Sequence, residues 1–150
     1  MRVECFLDTN VLVYAVSSAE EDAARRERAL DLVTRADFGL SAQVLQEFYV
    51  TVTRKIRKPL APERAVALMD EYRTFPTVPT DYPLIVSAVE LSLRYGVSYW
   101  DGAIIAAAEA LEASTLYTED LNDGQLYGSV RVSNPFAPPE AAGEDPDGSA

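Results

Sequence analysis

Strand-like and helix-like segments alternate along this chain, beginning with Val3-Glu4-Cys5-Phe6-Leu7, which runs straight into Asp8-Thr9-Asn10. Strands separated by helices do not pair as tight hairpins; they align in parallel, with helices covering both faces of the sheet. The pattern predicts a first strand over about 2–7, a helix from near Val11 and a charged helical stretch from Glu20 to Ala36. Phe38-Gly39-Leu40-Ser41 reads as a short strand that hands over, through Ser41 as N-cap, to a helix with Val44, Leu45, Phe48, Val52 and Ile56 on its apolar face. Pro59 and Pro62 mark a turn, with Pro62 opening a helix that runs to about Arg73. Pro76 and Pro79 hold Phe75 to Thr80 extended. Asp81 caps a helix over 82–95 that Gly96 closes. Trp100 to Leu111 is an apolar helix, and Thr115–Thr118 and Val130–Val132 are the later strands.

After Asn134-Pro135-Phe136 the composition changes. Residues 137–150 are rich in Pro and Gly and carry Glu140, Glu144, Asp145 and Asp147 without a base, which predicts a disordered acidic tail. The folded unit is expected over 1–136, one domain with enough chain to bury a core.

Several carboxylates fall where an ordered element begins or ends: Asp8 after the first strand, Asp101 at a helix start, and Asp120 and Asp123 after the strand at Thr115–Thr118. Glu47 lies on the helix that follows the second strand. In an open α/β sheet ligands collect outside the carboxyl ends of the strands, so these acids belong at one edge. Each has a plainer role when taken alone: a turn or cap for Asp8, a helix N-terminal acid for Asp101, a polar loop for Asp120 and Asp123, a solvated face for Glu47. Their convergence favours a site. Gathered carboxylates repel one another unless a cation holds them.

The chain contains no histidine and a single cysteine, Cys5. That excludes Ser-His-Asp and Cys-His catalysis, histidine general bases, zinc sites built on His or Cys, and any internal disulfide. The hard oxygen ligands that remain suit Mg²⁺ or Mn²⁺. A formal net charge of −11 opposes broad nucleic-acid binding, although the acidic tail and the acid cluster account for part of it. On a helical wheel Glu47 shares a face with Thr51, Arg54 and Lys58, at spacings of four, seven and eleven. Arg54 and Lys58 are thereby candidate phosphate contacts; a solvated face with a basic end has the same pattern. No apolar run approaches the roughly 20 residues of a membrane span, and the N-terminus lacks a signal-peptide pattern. A cytoplasmic protein is expected.

Phe6-Leu7-Asp8-Thr9-Asn10-Val11-Leu12, Ser41-Ala42-Gln43-Val44-Leu45-Gln46-Glu47-Phe48, Ser98-Tyr99-Trp100-Asp101 with Ile104-Ile105-Ala106-Ala107-Ala108, and Leu116-Tyr117-Thr118-Glu119-Asp120 through Asp123-Gly124 occur in an order and spacing that resembles the PIN-domain ribonucleases. Among these the chain is similar to the VapC-type toxins of toxin–antitoxin pairs, over residues 1–136 including the closing Asn134-Pro135-Phe136. The resemblance implies a three-layer α/β/α sandwich with a mainly parallel central sheet, one or two Mg²⁺ or Mn²⁺ ions, and hydrolysis of RNA phosphodiester bonds. It implies Asp8, Glu47 and Asp101 as metal-site acids and Asp120 as the fourth, with Asp123 in support. Thr9 and Asn10 are implied to orient Asp8. A cognate antitoxin and a homodimer are the implied partners. Gly102, directly after Asp101, departs from the best helix formers at a cost of about 1 kcal/mol. The alternatives are a non-catalytic PIN-like binding module, a structure-specific DNA nuclease on the same fold, and a haloacid-dehalogenase-type phosphatase. That last family has a second Asp two residues after the first, where this chain has Asn10.

Overall fold

A computed structural model of the protein describes residues 2–35 and 37–137. The chain runs β1 (Cys5–Leu7), α1 (Thr9–Val16), a short 3₁₀ turn (Glu20–Asp22), α2 (Ala23–Arg35), β2 (Phe38–Ser41) and α3 (Ala42–Val50). A π-helical turn (Thr51–Lys55) follows, then α4 (Pro62–Tyr72), β3 (Thr77–Val78), α5 (Tyr82–Tyr95), α6 (Tyr99–Ala110), β4 (Thr115–Tyr117), β5 (Leu126–Tyr127) and β6 (Val130–Ser133). The expected tail falls outside the described residues apart from Ala137.

The strands form one sheet in the order β3-β2-β1-β4-β6-β5, parallel throughout except for the β5–β6 pair. From β1 the chain steps outward to β2 and β3, then returns past β1 to β4. Right-handed crossovers put the helices of the outward steps on one face and those of the return on the other. The contacts follow that division: α1 packs on α2 and α3, and α3 on α4, while α6 lies between α5 and strands β2, β4 and β6. The direction of travel reverses between β1 and β4, so their carboxyl ends form the switch point of the sheet.

Local sequence accounts for most boundaries. Ser41, Asp81 and Ser98 cap α3, α5 and α6 through side-chain oxygens that accept from Val44, Leu84 and Asp101 N–H groups. Gly96 ends α5 at φ 66°, in the left-handed region that glycine enters without steric cost. Helix α6 is buried from Gly102 to Ala108, as its uniformly apolar sequence requires. Gly102 has a packing role as well: a Cβ there would stand 2.5 Å from the Ala88 carbonyl oxygen of α5. The helix-propensity cost of Gly102 is thus the condition for α5 and α6 to touch.

Two elements depart from expectation. The helix carrying Glu47 does not continue in α-helical phase to Ile56; it ends at Val50 and widens into the π turn, closed by Ile56 N–H donating to Thr51 O at 3.1 Å. Val50-Thr51-Val52-Thr53 is a β-branched run that crowds an α-helix, and the Thr53 hydroxyl donates to Tyr49 O at 2.6 Å, drawing that carbonyl off axis. The second is β5, a two-residue strand too short to show a period. It joins β6 through Gly128-Ser129, with Gly128 at φ 59° as a tight hairpin needs.

Candidate metal-binding and catalytic site

Leu7 of β1 pairs with Tyr117 of β4, and Asp8 N–H donates to Tyr117 O at 3.1 Å. The two chains therefore leave the sheet side by side, and this register brings Asp8 and Thr118 together across 110 residues of sequence. Asp8 is buried at 5% exposure, with Oδ1 accepting from Thr9 N–H at 2.7 Å and Oδ2 from the Thr118 hydroxyl at 2.7 Å. Burial pushes its pKa up to about 7; the two hydrogen bonds oppose that, and the charges of Asp120 and Glu47 add to it.

Thr118 is fully buried and its hydroxyl is saturated. It donates to Asp8 and accepts from Asp120 N–H at 3.0 Å and from Asn10 Nδ2 at 3.4 Å. Asn10 Nδ2 also donates to Asp120 Oδ2 at 3.2 Å. On the other side, the Thr9 hydroxyl donates to Glu47 Oε1 at 2.8 Å. Gln43 Nε2 donates to Glu47 Oε2 at 3.1 Å and to the Trp100 carbonyl at 3.3 Å, tying α3 to the start of α6. Asp101 stands in the first turn of α6. Its pKa is raised by burial first, then by Asp120, with Glu47 adding less and Ser98 opposing.

Asp8, Glu47 and Asp120 line a cleft of about 510 Å³, together with Thr9, Asn10, Tyr14, Lys55 and Arg57. Asp101 is not part of that lining and joins the group through its charge coupling to Asp120 and Glu47. Asp123 stands apart: its Oδ1 accepts from Asn134 N–H at 2.8 Å and fastens the loop before β5. Arg54 borders a neighbouring groove with Tyr49, Val50, Thr53 and Lys55, and Lys58 is exposed outside the cleft. Sequence reasoning did not single out Thr118 or Gln43, and from the basic run at 54–58 it chose Arg54 and Lys58, not Lys55 and Arg57. Thr118 had one available signal, a hydroxyl residue where a central strand gives way to an acidic loop.

The five ion pairs among the described residues join Arg25 to Asp22, Arg28 and Arg35 to Asp31, Arg57 to Glu21 and Arg73 to Asp70. None reaches Asp8, Glu47, Asp101 or Asp120. Asn10 Oδ1 is buried without a partner, a spare acceptor beside Asp120. This all-oxygen donor set fits a hard divalent cation. Among the described residues no three acids stand close enough to grip one ion directly. That spacing suits Mg²⁺, which keeps several waters and takes only one or two carboxylates.

Comparison with known protein families matches a PIN domain over residues 5–123. The chain belongs to the PIN-domain family. No curated protein sequence matches it. Among solved structures, this PIN domain is similar to a chain of a toxin–antitoxin complex from Klebsiella pneumoniae, at 17% identity and a TM-score of 0.66, covering 88% of this chain and 98% of that one. It is also similar to VapC20 of Mycobacterium tuberculosis, a sarcin–ricin-loop-cleaving toxin, at 19% identity and TM-score 0.63, covering 85% and 98%. A third is FitAcB from Neisseria gonorrhoeae, at 22% identity and TM-score 0.59, covering 88% and 98%. At these identities the likeness is one of fold. Among the described residues no helix is long and apolar enough to cross a membrane.

Proposed function

We propose that this PIN domain is a Mg²⁺- or Mn²⁺-dependent endoribonuclease that acts as the toxin of a toxin–antitoxin pair. The supporting observation is the set Asp8, Glu47, Asp101 and Asp120: electrostatically coupled, in none of the ion pairs among the described residues, and gathered at the switch point beside an open cleft. Of Asp8, Glu47, Asp101 and Asp120, one or two would touch the ion directly and the others would reach it through its waters. A bound divalent ion lowers the pKa of its water and offsets charge on the phosphate.

The chain's own residues set up that chemistry. Thr9 N–H and the Thr118 hydroxyl fix both oxygens of Asp8, and Thr9 and Gln43 fix both oxygens of Glu47. Asn10 aims Asp120. Orientation of this kind gives a site its precision, because ligands held by a second layer of hydrogen bonds need not reorganise when substrate arrives. Asp8 is the acid whose proton must leave at neutral pH before it can act as a ligand.

An antitoxin partner is supported by the neighbours solved as toxin–antitoxin complexes, including the DNA-bound VapBC of Salmonella typhimurium. A homodimer is supported by α5, which leaves Tyr82, Val86, Val89 and Leu93 exposed at spacings of four, three and four on one face. Light scattering of the purified chain reads that association directly.

The test of activity is cleavage of total cellular RNA by purified, antitoxin-free protein with Mg²⁺ or Mn²⁺, beside Asp101→Asn and an EDTA control. Discrete fragments lost in both controls are expected. Intact RNA together with no calorimetric Mn²⁺ binding would overturn the enzyme in favour of a protein-binding module, whereas intact RNA with cleaved DNA would move the substrate.

A further inference from the structure

An RNA chain entering this cleft meets mostly like charge. The lining carries Asp8, Glu21, Asp22, Glu47, Glu119 and Asp120 against two cations, Lys55 and Arg57. Both cations come from one wall, the π turn and the residue after Ile56, and both owe their place to that turn. In an uninterrupted α-helix Arg54 would lie below Glu47 and Thr51, seven and three residues on. The extra residue in the π turn advances the register by one. Lys55 accordingly lies with Thr51 and Glu47 along the cleft and also borders the groove behind it, whereas Arg54 lines that groove and not the cleft. Lys55 has no ion pair among the described residues. Arg57 is tied across the cleft by Nη1, which donates to both oxygens of Glu21 at 3.0 and 3.1 Å, on side chains that are 72% and 55% exposed. A pair so exposed is worth little and exchanges readily for another anion.

We propose that Lys55 and Arg57 form the phosphate subsite that seats the RNA backbone next to the acidic cluster, Lys55 as the standing contact and Arg57 by exchanging Glu21 for phosphate. The subsite rests on the ribonuclease function and deepens it. It makes Lys55 and Arg57, in place of Arg54 and Lys58, the substrate-binding cations of the chain. Lysine and arginine bind phosphate without reading sequence, so the subsite fixes register and leaves base choice to other groups.

The experiment is fluorescence anisotropy of a 5′-fluorescein-labelled RNA of random sequence, about 20 nucleotides long and enough to pass over a single cleft. Binding is measured in Mg²⁺ across a salt series, with every variant made on Asp101→Asn. Lys55→Gln and Arg57→Gln should each weaken binding several-fold at low salt and reduce the slope of log K against log salt by about 0.7. Arg54→Gln removes the same charge one residue away and should leave both unchanged. Equal losses at Arg54 and Lys55, no loss at Lys55, or no RNA binding by the parent chain overturns the subsite. Binding that depends on Lys55 in a chain whose Asp101 form cleaves nothing would retain the subsite and refute the nuclease, so the two failures are told apart.

Discussion

The Thr118 hydroxyl donates to Asp8 Oδ2 at 2.7 Å, and this contact joins the carboxyl ends of β1 and β4 at the point where the sheet reverses its direction of travel. Because the same oxygen accepts from Asp120 N–H and Asn10 Nδ2, one buried atom sets the aim of two carboxylates.

Replacement of Thr118 by Val keeps the shape and removes the hydroxyl. It leaves a buried carboxylate oxygen and a backbone N–H unpaired, at an expected cost of about 1–3 kcal/mol in urea unfolding. Mn²⁺ affinity measured by calorimetry should fall roughly 10- to 100-fold, as for other residues that orient metal ligands. Thr118→Ser retains the hydroxyl and should recover most of both. A Val variant with unchanged Mn²⁺ affinity would remove Thr118 from the site.

Burial raises the pKa of Asp8 in the folded protein to about 7, from the ordinary 3.8 of a free aspartate. Between these values the folded state holds a proton that the unfolded state has released, so Asp8 makes the metal-free protein lose stability as pH rises through that window, with no further change above it. The contribution is up to about 4 kcal/mol. Asp8→Asn should flatten the stability profile between pH 4 and pH 7, which denaturation at a series of pH values in EDTA would show. Mg²⁺ selects the carboxylate, so its affinity for the parent should climb over the same range and level off above about 7.

Asp120 and Asp123 separate cleanly by experiment. Asp120 faces Asn10 and couples to Asp8 and Asp101, whereas Asp123 holds Asn134 N–H. Thermal scans with millimolar Mn²⁺ should show a stabilising shift in the parent chain and in Asp123→Asn, which keeps an acceptor oxygen for Asn134. The shift should shrink in Asp120→Asn and in Asp8→Asn. A response lost in Asp123→Asn and kept in Asp120→Asn would exchange their roles.

Gly102→Ala raises helix propensity and should nevertheless destabilise, by about 1–3 kcal/mol in equilibrium unfolding, because the new Cβ meets the Ala88 carbonyl at 2.5 Å. Helices α5 and α6 would have to move apart, which displaces the start of α6 and with it Asp101. Stabilisation on substitution would mean that the two helices are free to separate.

Where a residue's role depends on its immediate neighbours, the sequence was readable. Ser41, Asp81 and Gly96 announce helix ends, and the β1 and β2 segments are short apolar runs bounded by polar residues. The acids at strand ends could be placed on one edge because parallel topology leaves few alternatives. What escaped was set by longer-range or finer geometry. Thr118 acquires its partner only through the β1–β4 register, and Gly102 acquires its reason only when α5 is laid against it. The wheel that grouped Glu47 with Arg54 assumed a constant helical phase. A β-branched run at residues 50–53 broke that phase and passed the cleft-facing position to Lys55.

The pairing of β1 with β4 has a consequence in time as well as in space. A chain synthesised only as far as β3 has Asp8 and Glu47 in hand, but no Thr118 to align Asp8 and no Asp120 at all. The residues that complete the cluster arrive with the strand that completes the middle of the sheet. The cluster is therefore complete only once β4 has joined the sheet beside β1.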